Sequence, residues 1–211
     1  MIEVERKFTV GGDDEKRLLE GADFLLEKTL MDVYYDTPDY ALSTKDMWLR
    51  TRDGRWELKV PLMERTGVRR AMDQYDELED EVKIRAAIGF PEGGNMGEDL
   101  RARGYAPFCA IETVRRKYRK GEFTIDMDTA KIWGDIPGSS GREPELVYAI
   151  GEIELMVNAK EEIADAYEKI LAFADAHHLA PAPTRGKGVE YLKRKKPEHY
   201  QALVRAGVVV E

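Results

Sequence analysis

A single cysteine, Cys109, stands among the 211 residues, so no intrachain disulfide can form and no cysteine-based zinc site is available. Histidine is scarce as well, at three residues. His177 and His178 end a predicted helix, where the dipole favours cationic side chains, and His199 stands alone, so structural roles are expected for all three. No apolar run is long enough to suggest a membrane span, and the chain enters a strand pattern at once without an apolar signal core. No membrane partner and a reducing, cytoplasmic location are expected. Excess positive charge is missing too, because the formal net charge of -8 repels nucleic acid and anionic membrane alike. Any polyanion site must be a local basic pocket. Gly186 and Gly188 flank Lys187 without a preceding strand, which excludes a Walker-type loop.

Composition places the chain among globular proteins. Its charged fraction of 35% exceeds the usual value of roughly 25%, yet the 43% of hydrophobic residues is spread along the whole length and can supply a core. The chain reads as one domain over residues 1–211, acting as a monomer.

Charge is patterned at every second residue. Glu3, Glu5 and Lys7 alternate, as do Arg50 and Arg52, Asp126 and Asp128, and Glu152 and Glu154. Strand side chains alternate faces, so each set points one way while Val4, Leu49, Ile125, Met127, Ile153 and Leu155 point the other. One face of a sheet is charged and the other dry.

The spacing predicts strands over 1–10, 24–36 and 45–52, with a turn at Asp36-Thr37-Pro38-Asp39 and an acidic helix start after Gly11-Gly12. Asp53-Gly54-Arg55 joins Trp48–Arg52 to Trp56–Pro61 as a hairpin, which brings Arg50 and Arg52 beside Lys59. Further strands are expected over 68–78 and 148–157, and a hairpin over 109–130 turns at Lys120-Gly121-Glu122. Helices are expected over 79–88, 98–103, 159–178 and 189–195, with another after Pro197; 131–144 reads as a loop. Many antiparallel strands with inserted helices suggest a curved or closed sheet with one charged face, although an open sheet with a solvated face has the same periodicity.

The carboxylate pairs repel one another unless a cation screens them. Hard oxygen ligands without histidine pairs or thiolates favour magnesium, with manganese next, over zinc or copper. Lys7, Arg50, Arg52 and Lys59 supply the opposite element, since guanidinium forks grip phosphate oxygens and ammonium groups act as point charges. A triphosphate suits both halves. Phosphoryl transfer depends on positioning and charge stabilisation, so it needs no serine, cysteine or histidine nucleophile. In the basic run 115–120, Arg115, Lys117 and Arg119 share one strand face, read as solvated or phosphate-facing rather than as a nucleic-acid patch.

The opening Glu3-x-Glu5-x-Lys7 resembles the signature of the CYTH superfamily, the triphosphate tunnel metalloenzymes. Tyr34-Tyr35-Asp36-Thr37-Pro38, Leu49-Arg50-x-Arg52, Ile125-Asp126-x-Asp128 and Gly151-Glu152-x-Glu154 are similar to its later blocks, in order and over nearly the whole chain. Trp48, Trp56-Glu57-Leu58-Lys59, Tyr191-Leu192-x-Arg194 and Pro197-x-x-Tyr200 are most similar to the thiamine triphosphatases within it. Thr51 and Gln74 depart from that pattern.

The resemblance implies a mainly β, α+β fold: an eight-stranded antiparallel closed β-barrel, the triphosphate tunnel, with helices packed outside. It implies metal binding by Glu3, Glu5, Asp126, Glu152 and Glu154, with Glu77 a further acidic site residue and Asp128 in support. Phosphate contact is implied for Lys7, Arg50, Arg52, Lys59, Arg115 and Lys187. Glu5, Lys59 and Tyr34 are the candidate catalytic residues, Tyr34 also lying on the substrate side. Trp48 shares the parity of Arg50, and an indole near the tunnel mouth would attract the positively charged thiazolium ring of thiamine. The expected reaction is magnesium-dependent hydrolysis of thiamine triphosphate. Alternatives are an inorganic tripolyphosphatase, a nucleoside triphosphatase, a class IV adenylyl cyclase or a non-catalytic polyphosphate-binding module.

Overall fold

The computed structural model describes residues 2–61, 75–134, 143–179 and 186–209. Its strands are β1 (Ile2–Phe8), β2 (Asp23–Asp36), β3 (Trp48–Arg52), β4 (Arg55–Pro61), β5 (Tyr75–Leu78), β6 (Ala106–Lys120), β7 (Phe123–Trp133) and β8 (Leu146–Val157). The helices are α1 (Gly12–Leu19), α2 (Glu81–Ile88), α3 (Met96–Ala102), α4 (Ile163–Ala176), α5 (Lys187–Lys195) and α6 (Pro197–Arg205). All strand pairings are antiparallel, in the order β1-β8-β7-β6-β2-β3-β4-β5.

Both expected hairpins form. Asp53 and Gly54 turn through positive φ values of 49° and 82°, placing Arg50 opposite Glu57. Gly121, at φ 60°, turns β6 into β7 and sets Arg115 against Asp128 and Lys117 against Asp126.

Several boundaries differ from the expectation. The strand expected over 45–52 starts at Trp48, because a 3-10 turn at Ser43–Lys45 is closed by Asp46 in a left-handed conformation. The helix expected from Glu98 starts at Met96, since the Asn95 side chain accepts from the Glu98 amide at 3.0 Å and caps it. Strand β7 runs into the expected loop as far as Trp133. The first part of the strand expected over 68–78, with Gln74, lies outside the described residues.

The expected closed barrel is corrected to a curled half-barrel. Strands β1 and β5 end the sheet, and among the described residues no pairing joins them. Strand β5 pairs with β4 over only four residue positions, from Tyr75 to Leu78. The two ends still sense each other, because Lys59 of β4 and Glu77 of β5 both act on the Glu3 carboxyl of β1.

Apolar packing covers the convex side in two places. Val4, Phe8, Ile125, Met127, Ile153 and Leu155 pack beneath Ile163, Ala166, Tyr167 and Ile170 of α4. Leu49 and Leu58 pack beneath Ile84 of α2 and Met96 and Leu100 of α3. A third cluster lies on the concave side: Cys109, Ile111, Ala130 and Ile132 share the parity of Arg115 and Asp128, and Tyr191, Leu192, Tyr200 and Leu203 of α5 and α6 close over them. One end of the concavity is therefore apolar and filled, while the rest is charged.

Candidate active site

The charged part of the concavity is organised about Arg115. Its Nε and Nη2 donate to the two oxygens of Asp128 at 2.8 and 2.7 Å, and Nη2 also donates to Glu152 at 2.9 Å. Its Nη1 pairs with Asp126. Lys117, one strand position pair along, reaches Asp126 at 2.8 Å and Glu154 at 3.0 Å. Lys187, at the start of α5, donates to Asp128 at 2.6 Å. Lys7 pairs with Glu5 and lies 3.9 Å from Glu152. On the opposite, apolar face Gly151 leaves room for Val10, since a Cβ there would fall 2.6 Å from Val10 Cγ2.

Across the concavity stands a second wall. Arg52 is held in a two-bond fork by Asp32 at 2.8 and 2.9 Å. Arg50 donates from Nε to Glu57 at 2.8 Å and from Nη1 to the Tyr34 hydroxyl at 3.1 Å. Lys59 pairs with Glu77 at 2.6 Å. Burial opposes the charged forms of Arg50 and Lys59, but Tyr34, Asp32 and Glu57 raise the arginine, and Glu5 and Glu77 raise the lysine. Both stay cationic.

Electrostatics split the carboxylates. Burial works to raise Glu152, yet Lys7, Lys187, Arg115 and Lys59 outweigh it and hold the carboxyl at about 2. Two residues on, burial, Asp126 and Glu3 push Glu154 up to about 9. Glu3 is also raised, by partial burial and then by Glu5. Neither oxygen of Asp126 has an aligned hydrogen-bond donor, although both lie in ion-pair range of a cation. Two sets of carboxylates can bring ligand atoms within 4.8 Å of one another: Glu3, Glu5 and Glu154, and Asp126, Glu152 and Glu154. This all-oxygen donor set, with its mutual repulsion, fits a hard divalent cation.

Every expected site residue lies among the described residues. The structure brings Lys7, Arg50, Arg52, Lys59, Arg115 and Lys187 into one array with Glu3, Glu5, Glu77, Asp126, Asp128, Glu152 and Glu154. Trp48 shares the concave face with Arg50, but it is 8% exposed within the apolar cluster and lies edge-on to Tyr34 at 6.5 Å. Three participants were not among the expected site residues. Lys117 was signalled by its parity with Arg115, and Glu57 by its place opposite Arg50 in the hairpin; Asp32 lacked a signal, because its partner Arg52 lies on another strand. A cavity of about 540 Å3 lined by Tyr40, Phe108, Lys196 and His199 lies beyond the α5–α6 junction and contains none of the charged array.

The CYTH domain profile matches residues 1–182. The chain belongs to the CYTH family. It is 33% identical to the thiamine-triphosphatase of Homo sapiens over 218 residues, covering 97% of this chain and 90% of the human protein. Among solved structures, the PH1819 protein from Pyrococcus horikoshii OT3 is similar with a TM-score of 0.59 and 21% identity, over 92% of this chain and 99% of that one. The PH1012 protein of the same organism is similar at 0.54 and 22%, over 84% and 91%. At these identities the two structures speak for the fold. As a CYTH protein, this chain carries α5 and α6 beyond the matched residues, and α5 supplies Lys187 to the array.

Proposed function

We propose that this CYTH enzyme hydrolyses the terminal phosphoanhydride of thiamine triphosphate, giving thiamine diphosphate and phosphate, with magnesium as the divalent cation and manganese as its substitute. Its coarser class is triphosphatase, consistent with the family and with the thiamine-triphosphatase relative. The observation that carries the reading is the facing of two walls: carboxylates gathered around Arg115 and Lys117 on one side, and the Arg50 and Arg52 forks on the other.

Glu3, Glu5, Asp126, Glu152 and Glu154 would hold the cation, with Asp128 and Glu77 supporting the cations that face the substrate. When bound, the cation supplies charge neutralisation on phosphate oxygens. Arg50, Arg52, Lys7, Arg115 and Lys187 grip the phosphate chain, exchanging some of their carboxylate partners for phosphate oxygens. Lys59 and Tyr34 stand beside the reacting end, where an ammonium and a hydroxyl stabilise charge on the departing oxygen. Glu5 orients the attacking water and takes its proton. A bond forms from the water oxygen to the terminal phosphorus as the bridging P–O bond breaks in line.

A substrate panel tests the reading. With magnesium, phosphate release from thiamine triphosphate is expected to exceed that from tripolyphosphate or ATP. Equal or slower turnover of thiamine triphosphate removes the thiamine assignment and leaves a triphosphatase, whereas cyclic AMP with pyrophosphate from ATP marks a cyclase.

A further inference from the structure

Asp46 was not among the expected site residues; it is 5% exposed and held at φ 62°. Aspartate adopts the left-handed conformation more readily than most residues with a Cβ, and here it closes the 3-10 turn that leads into β3. One of its oxygens, Oδ1, accepts from the Trp48 indole Nε1 at 3.0 Å and from the Tyr75 hydroxyl at 2.8 Å. Those two rings belong to β3 and β5, which are separated by β4 in the sheet. A single buried carboxylate therefore ties together aromatic side chains from two non-adjacent strands.

The rings it ties lie next to the phosphate-binding groups. Trp48 is opposite Lys59 in the strand register, and the Lys59 ammonium lies 5.7 Å from the centre of the Tyr75 ring. Trp48 meets the edge of Tyr34, whose hydroxyl takes the bond from Arg50. Gripping a chain of phosphates requires neither an indole nor a phenol ring. A flat cationic heterocycle does use them, because aromatic faces attract positive charge and a carboxylate behind the rings strengthens the field.

We infer that Asp46 is a positioning residue that locks Trp48 and Tyr75 into an aromatic wall for the cationic organic end of the substrate, so that it governs selectivity between organic and inorganic triphosphates. The inference rests on the thiamine triphosphate reading above. Trp48 is nearly enclosed, so the half-buried Tyr75 presents the accessible ring surface. Asp46 sets where that surface stands.

The test measures kcat/KM for thiamine triphosphate and for tripolyphosphate, with magnesium, in the wild type, Asp46→Ala, Asp46→Asn and Tyr75→Phe, with a melting curve for each. The ratio of the two values is expected to fall about tenfold in Asp46→Ala, mainly through a higher KM for the organic substrate, and about threefold in Tyr75→Phe, which loses the hydroxyl that donates to Asp46. Asp46→Asn keeps an acceptor oxygen and should recover part of the loss. A ratio unchanged in Asp46→Ala, or equal losses on both substrates, overturns the inference by reducing Asp46 to a structural residue. Should Asp46→Ala fail to fold, the ratio in Tyr75→Phe decides the matter by the same criteria. A wild-type ratio of one or below overturns the substrate reading and this inference with it, whereas a high wild-type ratio insensitive to these substitutions overturns this inference alone.

Discussion

The two walls of the concavity hold their charges differently. Around Arg115, carboxylates from β1, β7 and β8 crowd together, and Glu152 and Glu154, two residues apart, are driven in opposite directions by their neighbours. On the facing wall the arginines are held by hydrogen bonds from neighbouring strands, Arg52 to Asp32 and Arg50 to Glu57, with longer cross-pairs from Arg50 to Asp32 at 3.7 Å and from Arg52 to Glu57 at 3.9 Å. The first wall needs more positive charge than its side chains supply; the second is a pre-set fork. On the proposed reading a divalent cation belongs with the first and phosphate oxygens with the second.

The largest effect should come from breaking the crowded wall. Glu154→Gln removes a ligand atom common to both carboxylate sets, and activity with magnesium is expected to fall about a thousandfold, or about 4 kcal/mol, with the melting temperature unchanged or raised. Arg115→Ala strips the same wall of its central cation and leaves buried carboxylates uncompensated, so stability measured in chelator should drop by about 4 kcal/mol. Added magnesium should restore part of that loss, as detected by denaturant unfolding.

The cavity beyond the α5–α6 junction offers a control that touches neither wall. His199 is buried, with its Nε2 2.7 Å from the Ser43 hydroxyl, and burial lowers it to about 4 from an ordinary 6.5. Because the folded value is the lower one, the unfolded state binds the proton first, and stability falls as pH drops from about 6.5 towards 4. Asp36 works weakly against this shift and Lys196 with it. Wild type is expected to lose about 3 kcal/mol more between pH 7 and pH 4 than His199→Gln, a difference read from paired urea titrations. The smallest effect is reserved for the fork: Arg52→Lys keeps the charge but loses the two-bond geometry with Asp32, so KM for a triphosphate should rise about tenfold, equivalent to about 1.4 kcal/mol, with kcat little changed.

Much of this contrast could be read from the chain. Parity placed Glu3, Glu5, Arg50, Arg52, Asp126, Asp128, Glu152 and Glu154 on one face, because alternation in a strand is a local property. The hairpin at Asp53-Gly54 brought Arg50 and Arg52 beside Lys59 for the same reason. What stayed hidden depends on contacts between distant segments. Asp32 became the partner of Arg52 only when β2 paired with β3, and Asp46 joined Trp48 to Tyr75 only when β5 took its place beside β4. The open edge between β1 and β5 was also beyond reach, since alternation is the same in an open sheet and in a closed one.

One measurement bears most directly on the two-wall account: phosphate release from thiamine triphosphate by the wild type and by Glu154→Gln, each with magnesium and with excess chelator. The account predicts rapid release only in the wild type with magnesium. Release that persists in chelator, or that is equal in the folded variant, would contradict it.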